Sequence, residues 1–159
     1  MTSAGTALVN TKSSVSVSQI LMQNHIGSQI FCRREHLIGA GLFRESLQAW
    51  QDWDMWVRLL RAYGQAININ SSSYIIDESH SFFRISNRPE RDFRDTFLAF
   101  CSDNAPISLV QKAAINLSLC KYPQVKVRPL DIIGIAPILL SFDFLLEKVR
   151  GKILGAVKA

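Results

Sequence analysis

The stretch from Gly41 to Gly64, GLFRESLQAWQDWDMWVRLLRAYG, constrains this chain more than any other. Trp53, Trp56, Val57 and Leu60 stand at i, i+3, i+4 and i+7, which predicts an amphipathic helix over Asp52 to Ala62. Gly64 is placed as its stop. Asp54 and Arg58 are four residues apart on that helix, and Arg58 and Arg61 suit the negative end of its dipole. Two carboxylates, Asp52 and Asp54, lie among three tryptophans at its start. Either they complete the helix terminus, or one of them faces a cleft and does chemistry. Taken alone, Asp52 reads as an N-cap, a role that stabilises a helix by ~1 kcal/mol.

Length and composition decide what surrounds this helix. A chain of 159 residues, 48% hydrophobic and 19% charged, fits one globular domain with a real core. Cys32, Cys101 and Cys120 form no CxxC or metal-ligand spacing, which favours reduced thiols in a cytosolic protein. Up to Gln111 there are ten basic and ten acidic residues; from Lys112 onward, eight basic residues face three acids. The net charge of +5 therefore belongs to the tail. Such a tail suits an anionic surface, or is simply a solvated helix face. The opening MTSAGTALVNTKSSVSVSQ lacks the apolar core of a signal peptide and reads as a loop leading into a domain already under way.

Along the chain, Ser16 to Asn24 is consistent with a short helix, Ile26 to Cys32 with a strand and Arg33 to Ile38 with another short helix. QAININ, SSYIID and HSFFRIS read as extended runs. After Asn87 the segments RPERDFRDTFLAFCSDN and ISLVQKAAINLSLCKY read as helices, with Pro89, Pro106 and Pro123 at their edges. The last segment is the most apolar, yet Asp131, Pro137 and Asp143 interrupt it before it reaches the ~20 apolar residues of a membrane span. Beyond Pro137, Ile138, Phe142, Leu145 and Val149 share one face. That predicts an amphipathic helix able to dock on an anionic membrane or on the domain itself.

The order of these motifs resembles the second half of glycosyltransferase family 2 proteins, which are sugar-nucleotide-dependent enzymes of the GT-A fold. An Asn-x-Ile segment, Asn24 to Ile26, leads to a basic pair, Arg33 and Arg34. A Gly-x-Phe-x-Glu-x-Leu segment follows at Gly41 to Leu47, then Asp-x-Asp-x-Trp-x-Arg-Leu at Asp52 to Leu59, then His80. The match spans about Ser18 to Asn87. The resemblance implies an α/β chain in which residues 1–23 are a lead-in loop and short helix. Residues 24–87 would be the acceptor-side part of a GT-A domain, and 88–159 a helical tail with a basic amphipathic segment.

The resemblance also implies roles. Asp52 is the expected catalytic base, drawing the proton from an acceptor hydroxyl as it attacks the anomeric carbon. Gln51, Trp53 and Asp54 are expected to contact the acceptor or support the helix. His80 is the candidate contact to a divalent cation, Mg²⁺ or Mn²⁺, at the donor diphosphate, with Asp77 and Glu78 as alternative oxygen donors. His25 and His36 are read as structural. The implied partners are a nucleotide-sugar donor and a glycan or lipid-linked acceptor, in cell-envelope polysaccharide synthesis. The implied location is the cytoplasm, at the inner face of the membrane.

Two departures qualify the match. The family's Glu-Asp pair is Gln51-Asp52 here, so the first acid is lost while the base position is kept. No Asp-x-Asp or βαβ pattern precedes residue 24, so the sequence reads as the C-terminal portion of a longer enzyme, inactive without its nucleotide-binding half. The competing class is a non-catalytic membrane-associating or interaction module, with the acids only capping and the tail making the contacts. Nucleic-acid binding is disfavoured, because the charge is confined to the tail and no zinc-finger or RNA-recognition signature is present.

Overall fold

The computed structural model describes residues 12–69 and 88–139. Their elements run β1 (Ser14–Val15), α1 (Val17–Ile20), α2 (Arg34–Gly39), α3 (Gln51–Tyr63), β2 (Ala66–Ile67), α4 (Glu90–Asp103), α5 (Leu109–Leu119) and α6 (Pro129–Leu139). The two strands pair antiparallel, Ser14 opposite Ile67 and Val15 opposite Ala66. The result is a helix-rich mixture with a two-stranded sheet, compatible with the α/β class.

Helix α3 is the centre of the structure. Trp53, Trp56, Val57 and Leu60 are buried as the periodicity predicts, but so are Met55 and Leu59. An apolar surface this wide needs neighbours on several sides. Helices α1 and α2 pack on it, and Phe100 of α4 meets the rings of Trp50 and Trp53 at 5.9 and 5.1 Å. Each such buried side chain contributes roughly 1.5–3 kcal/mol. Gly64 ends α3 with φ 99°, a conformation in which a side chain is strained.

The helix start corrects one expectation. The N-cap is Trp50, in the left-handed region at φ 58°, and Asp52 stands two residues inside. The cap thus falls two residues ahead of the acid, so Asp52 does not cap the helix. Elsewhere the local chemistry is conventional. Ser16 with Gln19, and Ser108 with Gln111, form capping boxes at α1 and α5. Pro129 opens α6, where the Asp131 carboxylate accepts the Arg128 amide at 2.8 Å.

One arginine ties α4 to α6. The Arg94 guanidinium donates to Glu90 at 2.6 Å, to Asp131 at 3.0 Å and to the Lys126 carbonyl at 2.7 Å. Its hydrogen bonds hold both carboxyls below the usual carboxylate range. Their contribution to stability is therefore present at neutral pH and lost as the pH falls through those lowered values. Asn116 of α5 donates to the Asp131 carbonyl at 3.0 Å, and a Cβ at Gly134 would lie 2.7 Å from its amide nitrogen. The glycine lets α6 approach α5 closely.

Four expectations are corrected, shifted or shortened. Ile26 to Cys32 is not a strand: no strand among the described residues pairs with it, and Phe31 projects fully into solvent at 99% exposure. The helix expected at Arg33 to Ile38 runs one residue later, and that expected at Ser16 to Asn24 is one turn. QAININ yields only the two residues of β2. The runs SSYIID and HSFFRIS, with Asp77, Glu78 and His80, and the tail beyond Leu139 lie outside the described residues. Among the described residues, no helix is long and apolar enough to cross a membrane.

Candidate functional site

At the N-terminus of α3 a cleft of about 380 Å³ opens between Ser28 before α2, Phe43 after it, the start of α3, and Phe93 and Tyr122 from the helical segment. Among the described residues that line it, Asp52 is the only carboxylic acid. The Asp52 Oδ1 accepts the Trp53 amide at 2.8 Å, and Oδ2 receives one long contact, 3.5 Å, from the Asn24 amide. Asn24 in turn closes a tight turn, its Oδ1 accepting the Ile26 and Gly27 amides at 3.1 and 2.9 Å. The structure thus brings the Asn24–Ile26 segment beside the acid 28 residues later.

Burial, the largest influence, pushes the Asp52 carboxyl up from the ordinary 3.8. The Trp53 amide, its own amide and Asn24 pull it down, and burial prevails. Among the described residues no cation is paired with it. A carboxylate that is desolvated and lacks a cationic partner is a stronger base than one in water. It can take a proton from a hydroxyl that enters the cleft.

Asp54, two residues further along and so on the other side of α3, has the opposite surroundings. Its side chain is fully buried. Arg44 donates to Oδ1 at 2.9 Å, Asn104 donates to Oδ1 at 2.8 Å, and Arg58 donates to Oδ2 through Nε and Nη2 at 3.0 and 2.9 Å. Arg58 also binds the carbonyls of Ala40 and Leu42, and Arg44 reaches Asp103 at 3.1 Å. Asp54 therefore ties together the loop around residue 42, α3 and the end of α4. It takes no part in lining the cleft.

The remaining expected residues divide between the two. Gln51 lines the cleft while its amide donates to the Leu47 carbonyl at 2.7 Å. Trp53 is core, with its indole N–H on the Ile20 carbonyl at 2.7 Å. Trp56 donates to the Gly27 carbonyl at 2.8 Å and meets Phe43 edge-on. Arg33 and Arg34 are exposed. No cluster of His, Cys, Asp and Glu able to hold a metal occurs among the described residues. The cysteines described are free thiols, and burial pushes Cys101 up to about 11, which makes it a poor nucleophile.

Two cleft residues carry no local signal in the sequence. Tyr122 follows α5 by three residues, and nothing in LCKY marks it as part of a site. Trp50 precedes the acids, but its left-handed backbone is not written in the residue type. A bulky residue there is held at a cost of roughly 1–2 kcal/mol. Its neighbours hold it: Trp53 at 5.2 Å, Phe100 at 5.9 Å and the Tyr122 hydroxyl, which accepts its indole N–H at 2.9 Å.

Comparison with protein-family models, with curated proteins and with solved structures finds no match to this chain.

Proposed function

We propose that the chain is the acceptor-side portion of an inverting glycosyltransferase of the family 2, GT-A type. Asp52 is the base that deprotonates an acceptor hydroxyl. The observation that carries the reading is the placement of Asp52: a carboxylate of raised proton affinity, without a cationic partner among the described residues, on the wall of an aromatic cleft. The order of motifs around it supports the same reading. In the intact enzyme a nucleotide-sugar donor and a divalent cation would complete the reaction, with the glycan or lipid-linked acceptor entering at this cleft.

The division of labour has a direct consequence. The 159 residues by themselves are expected to bind no sugar nucleotide at micromolar concentration, because the reading places the diphosphate contacts on another part of the enzyme. Isothermal titration with UDP-, GDP- and dTDP-sugars in the presence of Mn²⁺ measures this, and micromolar binding would overturn it. The reading itself is tested by the genomic sequence immediately 5′ of the reading frame. An in-frame βαβ segment with an Asp-x-Asp supports it, and a locus without one removes the enzyme from consideration.

A further inference from the structure

Part of the cleft lining does not come from the segment that carries the family-like motifs. It is supplied by Phe93 of α4 and by Tyr122 of the turn between α5 and α6. Tyr122 is fixed at both ends. Its ring stacks on Phe93 with centroids 4.0 Å apart and planes 27° from parallel. Its hydroxyl oxygen accepts the Trp50 indole N–H at 2.9 Å. That bond uses an oxygen lone pair and leaves the hydroxyl proton to be donated. Among the described residues no acceptor for that proton is recorded.

We propose that Tyr122 is a positioning residue for the acceptor, donating its hydroxyl proton to one oxygen of a sugar ring whose neighbouring hydroxyl is aimed at Asp52. This rests on the reading of the cleft as an acceptor site and adds its substrate class and its selectivity. The class follows from the walls. Phe43 and Tyr122 offer aromatic surface at the cleft, which suits the C–H face of a pyranose, while Asp52, Gln51 and the Tyr122 hydroxyl in the same lining suit its equatorial oxygens. A linear polyol or a flat aromatic satisfies only one of the two. Burial, and then the nearby Asp52 charge, hold the phenol above its ordinary value, so it stays a donor at neutral pH and does not compete for the proton Asp52 removes.

The three indole N–H groups make the test readable, since each has a different partner: Tyr122 for Trp50, Ile20 for Trp53 and Gly27 for Trp56. The ¹⁵N-labelled full chain is titrated with methyl β-D-glucopyranoside, methyl β-D-galactopyranoside and their single-position deoxy analogues. The Trp50 signal is expected to shift with the glycosides and the Trp53 signal to stay. Tyr122→Phe keeps the ring on Phe93 and is expected to weaken binding about 5-fold, the worth of one neutral hydrogen bond. One deoxy analogue should show the same weakening on the wild type and none further on Tyr122→Phe. Binding of equal strength to both proteins, with no deoxy analogue distinguished, overturns the role of Tyr122 and leaves the acceptor cleft standing. No glycoside shift at Trp50 in the folded wild-type chain overturns the cleft reading itself, and this proposal with it. The deoxy series on the wild type keeps the test decisive if Tyr122→Phe fails to fold.

Discussion

Replacing Asp54 with alanine is expected to lower the unfolding free energy by about 3 kcal/mol. The carboxylate is fully buried and accepts from Arg44, Arg58 and Asn104. Its removal leaves two guanidiniums and an amide facing an apolar hole. Breaking a buried pair from one side costs ~3–5 kcal/mol. The lower end applies because the side chains of Arg44 and Arg58 retain 29% and 14% exposure and can recover some water. Urea denaturation measures the loss, which corresponds to a fall in melting temperature of roughly 6–12 °C for a chain of this size. Arg58→Ala should be non-additive with it, by about 1 kcal/mol or more. A loss below about 0.5 kcal/mol would place Asp54 among ordinary surface positions.

Asp52→Asn is expected to do the reverse, removing function and sparing the fold. On the proposed reading, turnover in the full-length enzyme should fall by ~10² or more, because the amide cannot take an acceptor proton. The Trp53 amide keeps an oxygen to bond, so the helix start survives. The sign of the stability change follows from the raised proton affinity of Asp52. The folded state prefers the protonated carboxyl, so the stability it contributes is complete below 3.8 and lost as the pH rises through the raised value. At neutral pH the buried charge therefore costs stability, and asparagine escapes that cost. Melting curves should show the variant equal to or above the wild type at pH 7, the advantage disappearing under strongly acid conditions. Wild-type turnover in the variant would reduce Asp52 to a structural acid; so would a wild-type rate that does not decline in acid.

These two aspartates show what the sequence could and could not reveal. Helix α3 was legible because its apolar residues repeat at the helical period, and the Asp54–Arg58 pair because it lies within one turn. The other partners of Asp54 were not legible. Arg44 and Asn104 stand 10 and 50 residues away, and no local spacing relates them. Asp52 was read as a cap because aspartate is a good one, and only the left-handed turn at Trp50 shows the cap to be elsewhere. The strand expected at Ile26 to Cys32 failed for a related reason. Alternation describes a residue's two faces, whereas a strand also needs a neighbour. The aromatic lining near the acid was invisible, since Tyr122 meets both Phe93 and Trp50 through folding alone.

That lining also bears on the order in which the molecule assembles. The Trp50–Tyr122 hydrogen bond joins positions 72 apart, while the helices it links close over one turn each. Contacts within helices form on the microsecond scale or faster, and a long loop must lose its closure entropy before its ends reward it. The cleft is thus completed after the helices that frame it. A population retaining nearly all its helical signal can lack an assembled cleft, so helicity is a poor proxy for the fraction of this protein in which the cleft is intact.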